Sequence, residues 1–345
     1  MVDNNSSKIV QIFCVSILLI SFFSLFCISN LKNKIFVSGK MAGNGEYKYD
    51  TLVQIDNDNV LVVGGGCGDK KAEIYNISSN TFKELSAPNF LHSVMKNTVR
   101  IDENTILIVS TDGVEVYNQK TQKFSKVENS IFKELLSHND INNKNFHNIK
   151  FFSINNRFVL CIKNYMSYKD KASQYVLLYF VDYDKNKILN YYKINKSNID
   201  LTFFEPISDR QFILKTTDNK FLSLNTENDQ IKYYTIENIP QSIKEKNNLK
   251  EKINKTLKTV YKDKEIYIHE PIILNNGNAL FLSEKENYLF NSHTNKIKRI
   301  NNFEYWRRNF STIKLPNGNV LIVGGSCGNT ESHSPFNEVE MFKYK

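Results

Sequence analysis

Cysteine, proline, glycine and tryptophan are all scarce in this chain of 345 residues, which has 5 Cys, 6 Pro, 13 Gly and one Trp. So few cysteines exclude a disulfide scaffold. So little Gly and Pro exclude a collagenous or low-complexity chain. Several motifs are missing as well: there is no G-x-S-x-G, no phosphate-binding P-loop and no dinucleotide fingerprint. The six histidines (His92, His138, His147, His269, His293 and His333) show no H-x-H, H-E-x-x-H or Cys/His spacing, so no metal and no other cofactor is expected. Lysines are scattered and no basic-aromatic module occurs, so nucleic acid is not an expected partner.

What is there is globular. Hydrophobic residues make up 41% and charged residues 23%, and the 18 Tyr and 24 Phe favour β-structure. The net charge of +9 suits an acidic partner or a membrane surface without requiring either.

Residues 9–29, IVQIFCVSILLISFFSLFCIS, carry no charge and are bracketed by Lys8 and Lys32. About 20 helical residues at ~1.5 Å each span the ~30 Å hydrocarbon core, so a single transmembrane signal-anchor helix is expected after a short tail, residues 1–8. A cleaved signal peptide is the competing reading. The run exceeds the usual apolar length for one, and Leu25-Phe26-Cys27-Ile28 puts bulky side chains where a peptidase needs small ones. Phe26 also fits a lipoprotein cysteine at Cys27 poorly. The flanking charges leave open which side of the membrane the rest of the chain occupies.

Past residue 33 the pattern is alternating and punctuated by turns. Residues 51–68 (TLVQIDNDNVLVVGGGCG) and 311–328 (STIKLPNGNVLIVGGSCG) match closely, each reading as strand, turn, apolar strand and terminal diglycine. The second copy explains the glycines at 64–68 as repeat punctuation rather than a phosphate loop. A second signal is wider: an Asn or Asp stands six residues before a Phe or Ile at Asn76/Phe82, Asn118/Phe124, Asp182/Ile188, Asn225/Ile231 and Asn291/Ile297. The linkers ISSNT, QKTQK, YDKNK, TENDQ and SHTNK are turn-formers, and Asn or Asp bonding its own backbone two residues on suits a tight hairpin.

Together these imply six four-stranded units, at about 51–85, 94–127, 148–193, 202–236, 269–300 and 310–345. Apolar second strands recur at 60–63, 105–109, 158–162, 212–214, 279–282 and 320–323. The last unit lacks a strand, because residues 339–343 align with 72–76 and the sequence then stops. Residues 34–38 have the right alternation to supply it. Such closure removes exposed sheet edges. Five to seven units fit the pattern, and six fits it best.

The diglycines Gly64-Gly65 and Gly324-Gly325, Tyr75 after the first, Phe82 where a Trp is common, and the stretch Phe36-Val-Ser-Gly-Lys-Met41 resemble kelch-type repeats, as in galactose-oxidase-like propellers. The resemblance implies an all-β, six-bladed kelch-like β-propeller over residues 34–345, closed by an N-terminal strand. It is good in the first and last units. In the middle four the diglycine positions hold Ser110-Thr111, Lys163-Asn164, Thr216-Thr217 and Ser283-Glu284. No Tyr/Cys/His set matches a copper site, and none is expected.

Two connectors between units are long. Residues 128–147 include SIFKELL, read as a helical turn. Residues 241–265 place Leu249, Ile253, Leu257 and Val260 on one helical face and carry eight Lys against four acids. A solvated helix on the rim is the plain reading of that segment; a basic face on anionic lipid is the sharper one.

In a propeller the second-to-third-strand loops and the connectors share one face, here residues 66–71, 86–93, 301–309 and 325–338. Lys70, Lys71, Trp306, Arg307, Arg308 and His333 are the candidates there for an acidic or aromatic group, against the plain reading of an ordinary solvated loop. Cys67 and Cys327 occupy the same repeat position; buried thiols are the default, a disulfide or a metal pair the alternatives. Cys161 reads as core. The expected function is a membrane-anchored scaffold, held by residues 9–29, that binds an unknown protein or glycan. The alternative is a sugar isomerase or mutarotase at the channel mouth, with Glu73, His269 and Glu270 as the nearest acid and base candidates.

Overall fold

The structure is a computed structural model. It describes residues 36–40, 51–64, 70–92, 97–110, 113–128, 131–132, 135, 148–153, 158–165, 175–195, 199–208, 211–216, 220–225, 230–234, 238–262, 269–304, 307–308, 310–327, 334–335 and 338–344. The hydrophobic run 9–29 and its preceding tail lie outside these, as do Cys67, Trp306 and His333. Among the described residues no helix is long and apolar enough to cross a membrane.

Six antiparallel four-stranded sheets follow one another along the chain in a propeller-like arrangement. The apolar second strands anchor them. Asn59–Val63, Thr105–Val109, Phe158–Tyr165, Gln211–Thr216, Ala279–Phe281 and Val320–Val323 lie where the sequence pattern predicts, some extended by a residue or more. Among the described residues their apolar side chains are buried, as continuous apolar runs covered on both faces should be.

The turn signal has a definite mechanism. Asn76 Oδ1 accepts a hydrogen bond from Ser79 N at 2.9 Å, and Asn118, Asp182 and Asn291 do the same toward Thr121, Lys185 and Thr294 at 3.0, 3.1 and 2.8 Å. The reach is three residues rather than the expected two, with Asn291 also holding His293 two residues on. The fourth loop residue (Asn80, Gln122, Asn186 or Asn295) adopts a positive φ of 54°, 54°, 47° or 58°. Asn tolerates that conformation best among non-glycine residues.

The sixth sheet joins the two ends of the chain. Phe36–Lys40 pairs antiparallel with Glu338–Phe342, from Phe36 opposite Phe342 to Lys40 opposite Glu338. The closing strand sits two residues later than residues 34–38, with the predicted partner. The first strands of the sheets lie against one another in sequence, sixth beside first, first beside second and second beside third.

Apolar clusters fill the spaces between sheets. Val62 and Tyr75 of the first sheet meet Leu321 and Met341 of the sixth. Leu61 of the first sheet meets Ile106 of the second, and Leu107 of the second meets Val159 of the third. Phe132 and Leu135, from the short helical turn expected at SIFKELL, add to that last cluster, and so does Cys161, buried as expected. Similar clusters join the third sheet to the fourth and the fifth to the sixth.

Between the fourth and fifth sheets the arrangement changes. Helix α1 (Gln241–Val260) lies there, and among the described residues no apolar cluster joins those two sheets directly. Ile243 packs with Ile213 and Phe221 of the fourth sheet, whereas Ile253 packs with Ala279, Phe281 and Phe290 of the fifth. Lys215 of the fourth sheet, buried, reaches Asn247 Oδ1 at 2.8 Å and Glu251 Oε1 at 2.9 Å on the helix. The rim placement expected from sequence is therefore corrected: α1 is a wedge. Its apolar stripe and the units it connects were legible, but its insertion between them was not. Replacing the buried Ile253 by Ala should cost about 2–5 kcal/mol in urea unfolding, against less than about 0.5 kcal/mol for the exposed Asn254→Ala. Equal effects would mean that α1 does not hold these sheets together.

Candidate functional site

The third strands repeat more than their apolar residues. Ala72-Glu73-Ile74-Tyr75, Val114-Glu115-Val116-Tyr117 and Val339-Glu340-Met341-Phe342 each place a glutamate at the same position, and all three glutamates are buried. Burying a carboxylate is costly unless it is hydrogen-bonded and paired. In two sheets the partner comes from the connector leading into that sheet. Glu115 bonds the His92 ring and receives Asn89 N at 2.9 Å and Asn89 Nδ2 at 2.8 Å. Glu340 receives Arg307 Nη2 at 2.8 Å and Glu304 N at 3.1 Å.

Burial alone pushes the Glu115 carboxyl up, but the His92 and Asn89 hydrogen bonds and the His92 charge outweigh it and hold the group below its ordinary range. His92 Nδ1 lies 2.8 Å from Ser110 Oγ, at a position where the first and last sheets carry glycine. Each connector is thus strapped by a buried polar bond to the third strand of the sheet it enters.

This places the sequence candidates. Arg307 is fully buried: besides Glu340 it donates to Gly324 O at 3.0 Å and lies 5.8 Å over the Phe303 ring. It is a strap, not a solvent-facing ligand group. The diglycine explains itself here, since Gly325 has φ +102° and a Cβ there would lie 2.7 Å from Arg308 O. Arg308 pairs with Glu284, whose side chain is buried, and keeps 28% of its own side chain exposed. Lys70 is exposed and donates to Asn89 O at 2.7 Å. Lys71 is half-buried, and its carbonyl accepts from Gly64 N at 3.0 Å. Trp306 and His333 fall outside the described residues, as does Cys67, so the Cys67/Cys327 pairing does too. Cys327 lies on a short strand whose backbone pairs with Ser334–Pro335.

The bonds Lys70–Asn89, Arg307–Gly324 and Arg308–Glu284 each tie a second-to-third-strand loop to a neighbouring connector, which brings both kinds of segment to one face. At its edge, between the fifth and sixth sheets, His269 stacks on Phe310 at 5.1 Å. His269 Nδ1 lies 2.9 Å from Glu270 O, so Nε2 is left as the acceptor, 3.4 Å from Thr312 Oγ1. Burial pushes the His269 pKa below its ordinary value, which favours the neutral ring. Glu73 is buried on its strand and Glu270 is exposed. Among the described residues no group of three His, Cys, Asp or Glu could hold a metal.

At the opposite, turn-bearing end, a cleft of about 350 Å³ opens between the first and second sheets, lined by Asp56, Asn76, Lys83, Gln119 and Gln122 over Ile55 and Ile74. Tyr75 OH of the first sheet donates to Asn80 Oδ1 at 2.9 Å. Its counterpart Tyr117 OH has no hydrogen-bond partner among the described residues, and Gln122, in place of Asn80, accepts from Lys83 Nζ at 2.8 Å. Burial, with a smaller contribution from Asp56, pushes Tyr117 up to about 12.

His92, Glu115, Glu284 and Glu340 were missed as partners in the sequence. The recurring glutamate was a usable signal; the identity of each partner was not, because one connector supplies a His and the other an Arg, 23 and 33 residues before the glutamate each one meets.

The fold and this face define the class: an all-β, propeller-like scaffold. No family model and no characterised protein matches the chain by sequence. Among solved structures, the WD40 β-propeller domain of Doa1 superposes with a TM-score of 0.40 and 10% identity, covering 89% of this chain and 96% of that one.

Removing one partner of a buried pair leaves the other charge uncompensated, so Arg307→Ala and Glu340→Ala should each cost about 3–5 kcal/mol in denaturant unfolding. The double variant should cost less than the sum of the two; strict additivity would show that the pair is not coupled. A folded pKa lowered for His269 means that its contribution is complete above the ordinary 6.5 and fades as pH falls below it. Glu115 contributes above its ordinary 4.5 and fades below that. Melting temperature followed against pH should therefore decline in two stages on the acid side. His269→Gln should flatten the upper stage and Glu115→Gln the lower; a wild-type curve level down to pH 4 would contradict both assignments.

Proposed function

We propose that this protein is a membrane-anchored, kelch-type six-bladed β-propeller that acts as a scaffold for a protein or glycan partner. The propeller spans residues 34–345, and residues 9–29 tether it to the membrane as a single-pass anchor. The observation that carries the binding reading is the loop face. Connectors and second-to-third-strand loops converge on it, and its deeper charges (Arg307, Glu340, His92 and Glu115) are held by one another. A face fixed from beneath presents its outer groups with little ordering cost, which is what a binding scaffold needs. Lys70 and the exposed part of Arg308 offer positive charge there. The anchor rests on the uncharged run and its length.

A second reading keeps an enzyme of sugar isomerase or mutarotase type. It rests on His269, whose Nε2 is left as the acceptor and whose backbone N donates to Leu282 O at 2.9 Å. A neutral imidazole whose acceptor nitrogen faces a hydroxyl, here Thr312 Oγ1 at 3.4 Å, can serve as a general base.

Affinity capture with the full-length chain separates the readings. Lys70→Glu should lose partner recovery while keeping the melting curve, whereas Arg307→Ala loses it by unfolding. Unchanged recovery in the first variant would remove the loop face from the account. Alkaline extraction should leave the chain with the membrane pellet, and release of the wild type would remove the anchor. Catalysed exchange of sugar anomers by the wild type, lost in His269→Gln, would favour the enzyme.

A further inference from the structure

Tyr75 and Tyr117 occupy the same repeat position, each directly before the Asn that heads a hairpin turn. Both side chains are fully buried. In the first sheet the hydroxyl donates to Asn80 Oδ1 at 2.9 Å. In the second sheet Gln122 stands where Asn80 would, and its Oε1 is taken by Lys83 from across the gap between the sheets. Tyr117 OH is left without a hydrogen-bond partner among the described residues. A buried hydroxyl in that state carries a free-energy cost that a suitable partner would remove.

A second such atom accompanies it. Gln119 donates through Nε2 to Asp56 Oδ2 at 3.3 Å, and its buried Oε1 has no partner among the described residues. Gln119 and Gln122 both line the cleft of about 350 Å³ between the first and second sheets, over Ile55 and Ile74. Tyr117 belongs to the same apolar cluster as those two isoleucines. By its repeat position its hydroxyl is directed toward residue 122, as that of Tyr75 is toward residue 80. The two side-chain bonds that span the gap, Gln119–Asp56 and Lys83–Gln122, are both exposed.

The surrounding groups set what a ligand must be. Small-molecule sites run from ~300 to ~1,000 Å³, so a cleft at the lower end takes one ring rather than a stretch of polymer. Its charges are already matched. Asp56 accepts from Asp58 N at 2.8 Å and Asn59 Nδ2 at 3.0 Å, and Lys83 donates to Gln122 Oε1 at 2.8 Å. A net charge on the ligand would therefore meet its like on one wall. Gln119 Oε1 can only accept, whereas Tyr117, kept protonated by burial and the Asp56 carboxylate, can donate. A hydroxyl serves either need, and Ile55 and Ile74 suit the C–H face of a ring.

We propose that this cleft binds a neutral polyhydroxylated ring of monosaccharide size, with one hydroxyl donating to Gln119 Oε1 and another accepting from Tyr117 OH. The ligand replaces the two exposed side-chain bonds that span the gap, so that the Gln119 amide turns its oxygen inward and the Gln122 side chain uncovers the phenol. Exposed bonds of that kind are cheap to exchange, because water competes for them in any case. The site lies at the turn-bearing end, opposite the loop face. It goes beyond the function proposed above, and its failure would leave that reading standing.

Calorimetric titration of the full-length chain, in a detergent without a sugar headgroup, with D-glucose, D-galactose and D-mannose tests this. At least one of the three should bind saturably. Tyr117→Phe and Gln119→Leu should each weaken that binding about tenfold. Tyr75→Phe, whose hydroxyl is already paired outside the cleft, should leave it unchanged. Without sugar, Tyr117→Phe should melt no lower than the wild type, because it deletes an unpaired group, and Tyr75→Phe should melt lower. No saturable binding by any of the three, binding confined to the charged analogues glucosamine or galacturonate, or affinity retained in both cleft variants overturns the proposal. A lower melting curve for Tyr117→Phe with sugar affinity unchanged also overturns it, in favour of an ordered water as the partner of the hydroxyl.

Discussion

The pairing of Phe36–Lys40 with Glu338–Phe342 is the constraint on which the rest of the architecture depends. The sixth sheet is built from both ends of the described chain, so neither end can complete it alone. Without the join, the sixth sheet would keep the unsatisfied edge of Glu338–Phe342, and the chain ends would have no reason to meet. With it, the first and sixth sheets are held side by side, and Val62, Tyr75, Leu321 and Met341 are packed from both directions. The loop-closure entropy of bringing together strands some 300 residues apart grows only slowly with length, which keeps the cost of so distant a clasp modest.

Closure places the sheets, and buried polar bonds place the loops. Arg307 with Glu340 and His92 with Glu115 use the same device: a cation or ring from the incoming connector meets a glutamate on the third strand. Such pairs add little net stability against an apolar alternative. Their consequence is geometric, because a buried charge tolerates only the arrangement that satisfies it. The loop face is thereby held from below, and variation is left to the side chains above.

The wedge and the long third sheet are the departures from repetition. Helix α1 takes the role that direct sheet-to-sheet packing has elsewhere, with Ile243 turned to one neighbour and Ile253 to the other. The third sheet extends its outer strand and exposes Leu189 and Tyr191 where the first two sheets expose Thr, Ser, Lys and Glu.

Much of the scaffold could be read from residues alone, for a reason that is local. The apolar runs at 60–63, 105–109 and 320–323 and the Asn or Asp heading each turn act within a few residues of chain, so spacing reveals them. Repetition then made closure by a strand near residue 36 foreseeable, since a sheet short of one strand requires a donor. The site was less legible. Arg307 looked like a solvent-facing ligand group because nothing near it in the chain announces Glu340, 33 residues away. Likewise the stripe of α1 predicted an apolar contact without revealing that the helix inserts between the fourth and fifth sheets. Strand and turn preferences are properties of short segments, whereas the partner of a charge and the depth at which it lies depend on which distant segments folding brings together.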